Sequence, residues 1–218
     1  VANKFISKDM QKEEWVANNI QTPEFYIIKS YTDFIKKIHI MNLPFIIKPI
    51  DSAGSRGITV VNTLIQDPII FYNKAISNSK SKTVIIEKFV DGIEYVVDVL
   101  AIGKKIIPLG ITEKEKVPNT SNTVSISLKT PSFNEAQKNK IKNYASKAFK
   151  VLGLENCSGH GELIIDKNGK IWMIEVAARG GGFLVFDKLV PMMSGINLPA
   201  EVTKLAMGYK LKKLLILS

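Results

Sequence analysis

The chain has 218 residues, 45% of them hydrophobic and 23% charged, with a formal net charge of +10, which is the composition of a globular protein. Its single cysteine, Cys157, excludes an intrachain disulfide, and no segment reaches the ~18 consecutive apolar residues of a membrane span. The first residues lack the apolar core of a signal peptide, so we expect a cytoplasmic protein with no membrane partner.

The positive charge raises the alternative of nucleic-acid binding, which would make affinity for DNA or RNA steeply salt-dependent. The basic residues are scattered, however, and no helical segment carries a continuous basic stripe interleaved with aromatic residues. Only Arg56 and Arg179 are arginines among the 30 basic residues, and each lies in a Gly-rich segment. This favours anion binding at those two positions, and we expect no nucleic-acid partner.

Helices and strands alternate in the first 82 residues. Apolar residues at helical spacing predict helices over 8–19, 31–41 and about 67–77, and in the first of these Met10, Trp15 and Val16 are the candidate buried residues. Strands are predicted over 24–28, 45–48 and 58–61. The polar, turn-like segment 77–82 predicts a subdomain boundary.

Strands dominate the rest of the chain, and they are predicted over 83–89, 93–102, 105–112, 123–128, 161–165 and 170–176. Asp91-Gly92 and Gly103-Lys104 are typical of hairpin turns, and the charged segment 113–122 predicts a mobile loop. Helices are predicted over 134–152, closed by Gly153, and over about 198–207. The predicted fold class is α+β, with a small α/β unit followed by an antiparallel sheet and helices.

The segment 44–58 predicts a phosphate-binding loop. An apolar strand delivers Lys48, and the loop that follows carries anion-binding side chains and flexible backbone: Ser52, Gly54, Ser55, Arg56 and Gly57. Glycine lets backbone N–H groups approach an anion closely, and the two cations supply the charge. The spacing is neither that of a Walker A loop nor that of a dinucleotide fingerprint. A plain Gly/Ser turn between two strands is the alternative.

Two glutamates on neighbouring predicted strands are candidate metal ligands. Glu162 and Glu175 lie on paired strands, the second in a strongly apolar one, where a carboxylate without a partner is costly. Carboxylates that converge from two strands suit Mg²⁺ together with phosphate oxygens. If both instead face solvent, they are merely hydrated.

Arg179 opens onto Gly180, Gly181 and Gly182. Consecutive glycines let backbone amides surround an anionic centre, and Arg179 would neutralise charge that develops there; a flexible surface loop is the alternative. His160 lies on the strand face of Glu162 and is a candidate contact to substrate or phosphate, although a structural role explains it equally well.

The segment 87–94 is a candidate nucleoside site. A strand that ends in a tight turn leaves backbone groups of Lys88, Phe89 and Val90 able to read an adenine edge. Glu87 precedes them, and Glu94 is placed to accept ribose hydroxyls. An ordinary hairpin explains the same residues.

Taken in order, these motifs resemble the ATP-grasp superfamily, particularly the branch of carbamoyl-phosphate synthase and biotin carboxylase. The matching elements are Lys8, Lys48-Pro49 with the loop 54–57, the segment 87–94, Glu162, and Glu175 to Arg179. The resemblance covers about residues 8–208. It implies a small α/β subdomain and a larger antiparallel-sheet subdomain, with ATP between them.

The resemblance also implies a reaction. ATP with Mg²⁺, or Mn²⁺, would activate a small-molecule carboxylate as an acylphosphate for attack by an amine, as in a carbon–nitrogen ligase. Lys8 and Lys48 would hold phosphates under the loop, Glu87 with the backbone after it would read adenine, and Glu94 the ribose. Glu162 and Glu175 would hold the metal, while Arg179, the glycines and His160 would serve the reacting groups.

Two departures from the family pattern leave alternatives open. Ala177 stands where asparagine is usual, which implies one metal ligand fewer, and family members carry a Rossmann-like domain before the first helix. We therefore expect an absent preceding domain or partner subunit, which the helix in 1–20 would follow, a small subdomain over 21–82 and a large one over 83–218, with a homodimer possible. The alternatives are bicarbonate activation, as in carbamoyl-phosphate synthase or biotin carboxylase, and a non-catalytic ATP-binding module.

Overall fold

The computed structural model describes residues 1–52, 54–117 and 125–211. The α-helices are α1 (Lys8–Ala17), α2 (Tyr31–Ile38), α3 (Pro68–Ser77), α4 (Glu135–Leu152), α5 (Val190–Ser194) and α6 (Leu198–Ala206). The strands are β1 (Phe25–Ile28), β2 (Phe45–Pro49), β3 (Thr59–Val61), β4 (Val84–Lys88), β5 (Gly92–Ile102), β6 (Lys105–Lys116), β7 (Ser125–Lys129), β8 (Ser158–Asp166) and β9 (Ile171–Ala177). No helix within these ranges is long and apolar enough to cross a membrane.

The strands form two antiparallel sheets, which confirms the predicted α+β class. The first sheet has the order β1-β4-β2-β3 and the second the order β7-β6-β5-β8-β9. Helices α2 and α3 cover one face of the first sheet around Phe34, Phe45 and Ile86. Helix α4 covers one face of the second sheet around Phe149 and Leu163. Helices α5 and α6 pack on the other face of the second sheet around Leu100 and Leu109. The opposite face of the first sheet and the remainder of that face of the second stay available for other contacts.

The structure corrects two predictions about strands. Asp91-Gly92 does not close a hairpin, because β4 pairs with β1 and β2 in the first sheet while β5 starts the second sheet at Gly92. The first sheet thus extends past the boundary drawn at residue 82, and the division into subdomains stays a prediction. Residues 113–116 are not loop but the end of β6; residues 118–124 lie outside the described part of the chain.

Helix α1 ties the two sheets together. Its buried face is Lys8, Gln11, Lys12 and Trp15, at the i, i+3, i+4, i+7 spacing of one helix side. Trp15 is buried as predicted, but Met10 and Val16, which were also predicted to be buried, are exposed. The prediction took apolar residues as the buried ones, whereas the buried face of this helix is mostly polar.

The side chain of Gln11 attaches this helix to strand β9. Its amide nitrogen donates to the carbonyl of Val176 at 2.8 Å, and its amide oxygen accepts from the backbone N–H of Val176 at 2.9 Å. The backbone N–H of Lys8 donates to Ile50 O, just beyond β2. The helix thereby places Lys8 between a strand of the second sheet and the loop that leaves the first.

Candidate functional site

A cleft of about 340 Å³ lies between the two sheets, within the size range of small-molecule sites. Side chains alternate along each strand, so the face of the first sheet opposite α2 and α3, and the face of the second sheet opposite α4, point into the cleft. From the first sheet come Ile46, Lys48, Ile58, Val60 and Glu87; from the second come Glu94, Lys114, Lys116, His160, Glu162, Ile164, Ile174 and Glu175. Lys8 and the loop after β2 complete the lining.

The loop after β2 has the backbone of an anion-binding loop. Gly54, Ser55 and Gly57 all have positive φ angles, of 68°, 58° and 73°, and such turns expose successive N–H groups. Asp51 anchors the start of the loop, since its carboxylate accepts from the Ser79 hydroxyl and from the N–H groups of residues 80 and 81. These hydrogen bonds lower the pKa of Asp51 against the opposing effect of burial, so it stays an anionic anchor.

Lys8 spans the cleft at the mouth of this loop. Its ammonium donates to Ser52 O at 2.6 Å and lies 3.3 Å from a carboxylate oxygen of Glu175. One buried cation therefore contacts both the loop of the first sheet and a strand of the second. A phosphate entering here would meet the ammonium group of Lys8 between the loop and the strand.

Glu87 is buried between two lysines. Its carboxylate lies 2.6 Å from Lys48 Nζ and 3.2 Å from Lys12 Nζ. Burial alone would raise the pKa of Glu87, but the two ammonium groups outweigh it and lower the pKa. Burial likewise opposes the charge on Lys48, yet Glu87 and then Glu175 outweigh it and raise the pKa of Lys48. Lys48 is therefore held as a cation that lines the cleft.

Lys12 lies behind this pair, and its titration predicts a pH effect. Burial lowers the pKa of Lys12 from 10.5 to about 8 despite the opposing effect of Glu87. At pH values between these two pKa values, Lys12 is protonated in the unfolded chain but not in the folded chain. The free energy of unfolding therefore rises with pH in this range. We expect the free energy of unfolding, relative to that of Lys12→Met, to increase by about 2 kcal/mol from pH 7 to pH 10.

Denaturant unfolding of both proteins across this range measures the difference, with Lys12→Met as the reference that lacks the titrating group. Parallel stability curves for the two proteins would contradict the lowered pKa of Lys12.

Glu162 and Glu175 lie directly opposite one another on β8 and β9. Like charges in that position repel, so cations nearby stabilise the pair. In the structure Lys114 Nζ lies 2.6 Å from Glu162 and Lys8 Nζ lies 3.3 Å from Glu175. Burial would raise the pKa of Glu162, but Lys114 outweighs it and lowers the pKa to about 2. Glu162 is therefore an anionic oxygen ligand at neutral pH.

These two carboxylates fit Mg²⁺. Hard oxygen ligands from one or two carboxylates, completed by phosphate oxygens and water, are its usual set in nucleotide sites. No group of three or more His, Cys, Asp or Glu side chains that could hold a metal occurs in the described part of the chain. The pair Glu162 and Glu175 is therefore the candidate ligand set, and phosphate would have to supply the remaining oxygens.

His160 is held from two sides. Its Nδ1 lies 2.8 Å from a carboxylate oxygen of Asp98, which is 2% exposed. Gly181 packs against the ring so closely that a Cβ there would lie 2.6 Å from Nδ1. Arg179 is exposed at the rim, and its guanidinium donates to Gly180 O at 2.9 Å. The histidine is thus fixed, while the arginine fork stays at the cleft mouth.

Most of the predicted site residues meet in this one cleft. Those that line it are Lys8, Lys48, Ser52, Gly54, Ser55, Arg56, Glu87, Lys88, Phe89, Val90, Glu94, His160, Glu162, Glu175 and Arg179. Gly57 and Gly180–Gly182 are outside this lining. Gly57 packs under the loop, where a Cβ would lie 2.8 Å from Pro49 and Asn78. The individual roles of all these residues stay predictions.

Sequence reasoning missed Lys12, Asp98, Lys114 and Lys116. Lys12 could have been found from its place four residues after Lys8 on one helix face. Thr112, Lys114 and Lys116 lie on the same face of β6 because they are two residues apart. Only the strand pairing shows that this face points at Glu94 and Glu162. Asp98 is the only acidic residue in the apolar segment 95–102, but nothing in the sequence indicates that it contacts His160.

Two antiparallel sheets that enclose lysines, glutamates and a glycine-rich loop define the class: an α+β domain with a candidate phosphate-binding cleft. The family model described as the ATP-grasp domain matches residues 41–187. The chain therefore belongs to the ATP-grasp family, and the resemblance read from its motifs is confirmed.

Relatives and solved structures agree with this assignment. D-alanine–D-alanine ligase from Buchnera aphidicola subsp. Schizaphis graminum is 29% identical over 84% of this chain and 62% of its own length. The carbamoyl phosphate synthase large chain of a Thermoanaerobacter species is 28% identical over 80% of this chain and 16% of its own. L-amino acid ligase from Bacillus licheniformis superposes with a TM-score of 0.74 at 23% identity, over 90% of this chain and 46% of its own.

Biotin carboxylase from Campylobacter jejuni, solved with a β,γ-ATP ligand, superposes with a TM-score of 0.82 at 21% identity, over 97% of this chain and 48% of its own. These structural likenesses concern the fold. The chain spans 62% and 64% of the lengths of two D-alanine–D-alanine ligases that it matches.

Proposed function

We propose that this chain is the ATP-binding part of a ligase that joins a carboxylate to an amine. The observation that carries the proposal is the single cleft in which the anion-binding loop, Lys8 and Lys48 face the opposed pair Glu162 and Glu175. The match to the ATP-grasp family and the ligases among the relatives support it.

The nucleotide would lie along the cleft. Lys48 and Lys8 would bind phosphate oxygens, with the N–H groups around Gly54 and Ser55 closing over them. At the other end, Lys88, Phe89 and Val90 line the cleft where β4 ends. The N–H groups of Lys88 and Phe89 already donate to Glu24 O and Pro44 O. The backbone of Val90, which follows the strand, would therefore pair with an adenine edge.

The reaction would proceed in two displacements. A carboxylate oxygen of the substrate attacks the γ-phosphorus of ATP, and the bond to the bridging oxygen breaks to release ADP. The amine nitrogen then attacks the acyl carbon, the C–O bond to phosphate breaks, and the nitrogen loses a proton. In the first step negative charge grows on the bridging oxygen that leaves with ADP, and in the second it grows on the acyl oxygen as the amine adds. Arg179 at the rim would stabilise that charge, and His160, held by Asp98, would contact the reacting groups.

Glu162 and Glu175 would hold Mg²⁺, which when bound neutralises the charge of the phosphates and polarises them. We extend the proposal to Mn²⁺ as a substitute for Mg²⁺, to small molecules as both substrates, to a cytoplasmic location and to a homodimer. Bicarbonate in place of the organic carboxylate is an outcome that the following experiment distinguishes.

Trapping with hydroxylamine tests the proposal. The full chain is incubated with Mg-ATP, hydroxylamine and a panel of amino acids, hydroxy acids and bicarbonate, and both ADP and acyl hydroxamate are measured. A ligase gives ADP formation that depends on one class of carboxylate, with hydroxamate in equal amount. Bicarbonate-dependent ADP release without a stable hydroxamate would favour the bicarbonate-activating alternative. ATP binding with no carboxylate-dependent ADP from any member would contradict a ligase.

A further inference from the structure

Lys114 occupies the centre of the acidic face of the cleft. Its ammonium lies 2.5 Å from a carboxylate oxygen of Glu94 and 2.6 Å from one of Glu162. Only 14% of its side chain is exposed. Lys116 also contacts Glu94, at 2.8 Å. One lysine therefore bridges the carboxylate proposed for the ribose and a carboxylate proposed for the metal.

The sheet itself imposes this bridge. Strand β5 lies between β6 and β8, and Val96 faces Thr112 on one side and Glu162 on the other. Glu94 is two residues from Val96 on β5, and Lys114 is two residues from Thr112 on β6, so both lie on the same face of the sheet as those residues. Lys114 thus stands diagonally across one strand from Glu162, at a distance that a lysine side chain spans.

The positions of the ammonium groups conflict with metal binding. A divalent cation at Glu162 would lie beside the Lys114 ammonium, and a cation at Glu175 beside that of Lys8. Two neighbouring cations repel one another. The metal therefore binds Glu162 fully only when Lys114 has left it.

We infer that Lys114 is a resident counter-cation that keeps the metal ligands closed to a lone divalent ion and releases them when a nucleotide enters. This inference rests on the proposed nucleotide site. A ribose at Glu94 takes one partner from Lys114, and the phosphates offer its ammonium a new anionic partner. Release from Glu94 and Glu162 together then couples nucleotide binding to metal binding, and the metal enters with the nucleotide rather than before it.

The test compares metal affinity with and without nucleotide. Free Mn²⁺ is measured by electron paramagnetic resonance during titration of the full chain, alone and with saturating ADP. Lys114→Gln should bind Mn²⁺ alone about tenfold more tightly than the unmodified chain, the size of an ordinary coupling between two sites. The ratio of affinities with and without ADP should fall by a similar factor, since the coupling runs through this ammonium.

Two variants serve as controls. Lys105→Gln removes the same charge from the exposed start of the same strand and should leave both affinities unchanged. Lys114→Arg keeps a cation between the two carboxylates and should keep weak binding of Mn²⁺ alone. It also keeps the test decisive if Lys114→Gln does not fold, because tightened metal binding in Lys114→Arg would overturn the inference.

The outcomes separate the inference from the proposed function. Unchanged Mn²⁺ affinity in a folded Lys114→Gln that still binds ADP would overturn the role of Lys114 and leave the nucleotide site standing. An unmodified, folded chain that binds no ADP would overturn the nucleotide site itself, and the inference with it.

Discussion

Replacing Lys48 with methionine should lower the affinity of the chain for Mg-ATP by about 100-fold or more, because a buried charge that meets an anionic ligand is worth several kcal/mol. Lys48 lines the cleft and is 4% exposed, and its ammonium is held protonated against Glu87. Methionine keeps most of the length of the side chain and removes the charge. Isothermal titration with a non-hydrolysable ATP analogue measures the loss.

Lys12→Met is the matched control for this prediction. Lys12 contacts the same carboxylate of Glu87 and is fully buried, but it is not part of the cleft lining. Its replacement should change the stability of the fold far more than the affinity for nucleotide. Equal losses of affinity in both variants would mean that the lysines act only through Glu87, and that Lys48 does not bind phosphate.

The sequence predicts the site better than it predicts the strand pairing that builds it. Motifs such as Lys48 with its loop, or Glu162 and Glu175, are local, and residue type with spacing suffices to find them. The partner of β4 is decided instead by contacts with β1 and β2, which are distant in sequence. Asp91-Gly92 looks the same whether it joins two strands of one sheet or carries the chain from one sheet to the next.

The acidic face of the cleft shows why pairing matters. From the turn at Gly103, Ile102 pairs with Lys105 and Val99 with Pro108, but beyond a bulge Asp98 pairs with Gly110. Regular pairing continued from the turn would bring Glu113 opposite Glu94, two like charges. The extra residue of the bulge brings Lys114 there instead. This one bulge, which no local sequence pattern predicts, therefore decides that a lysine and not a glutamate lies opposite Glu94.

Helix α1 shows the limit of hydrophobic periodicity. Its period is correct, since Lys8, Gln11, Lys12 and Trp15 share one face. The pattern fails because three of these four residues are polar and are buried only by partners from elsewhere: Ser52 and Glu175 for Lys8, Val176 for Gln11, and Glu87 for Lys12. A functional site places polar residues where a core would otherwise be apolar. Hydrophobic periodicity therefore predicts that the polar face of its supporting helix is exposed, although that face is buried.

Arg179→Lys should reduce turnover about 10²- to 10³-fold while leaving ATP affinity nearly unchanged, because the lost interaction forms with charge that develops during reaction. Arg179 is exposed at the rim and donates to Gly180 O, so its fork is positioned by the backbone of the glycine loop. Lysine keeps the charge but loses the two-pronged donor geometry. Steady-state ADP release with a substrate found by hydroxylamine trapping measures turnover, and titration measures affinity.

Arg56→Lys, at the other arginine of the chain, gives the opposite pattern if the assignment of the two arginines is correct. Arg56 lies in the loop after β2 and lines the cleft beside the proposed phosphates, so its loss should weaken ATP binding more than turnover at saturating ATP. Equal effects of both substitutions on affinity and on turnover would show that Arg179 binds the ground state, and a transition-state role would then be wrong. An unchanged turnover in Arg179→Lys would mean that charge alone suffices at the rim, so that the planar fork has no part in the reaction.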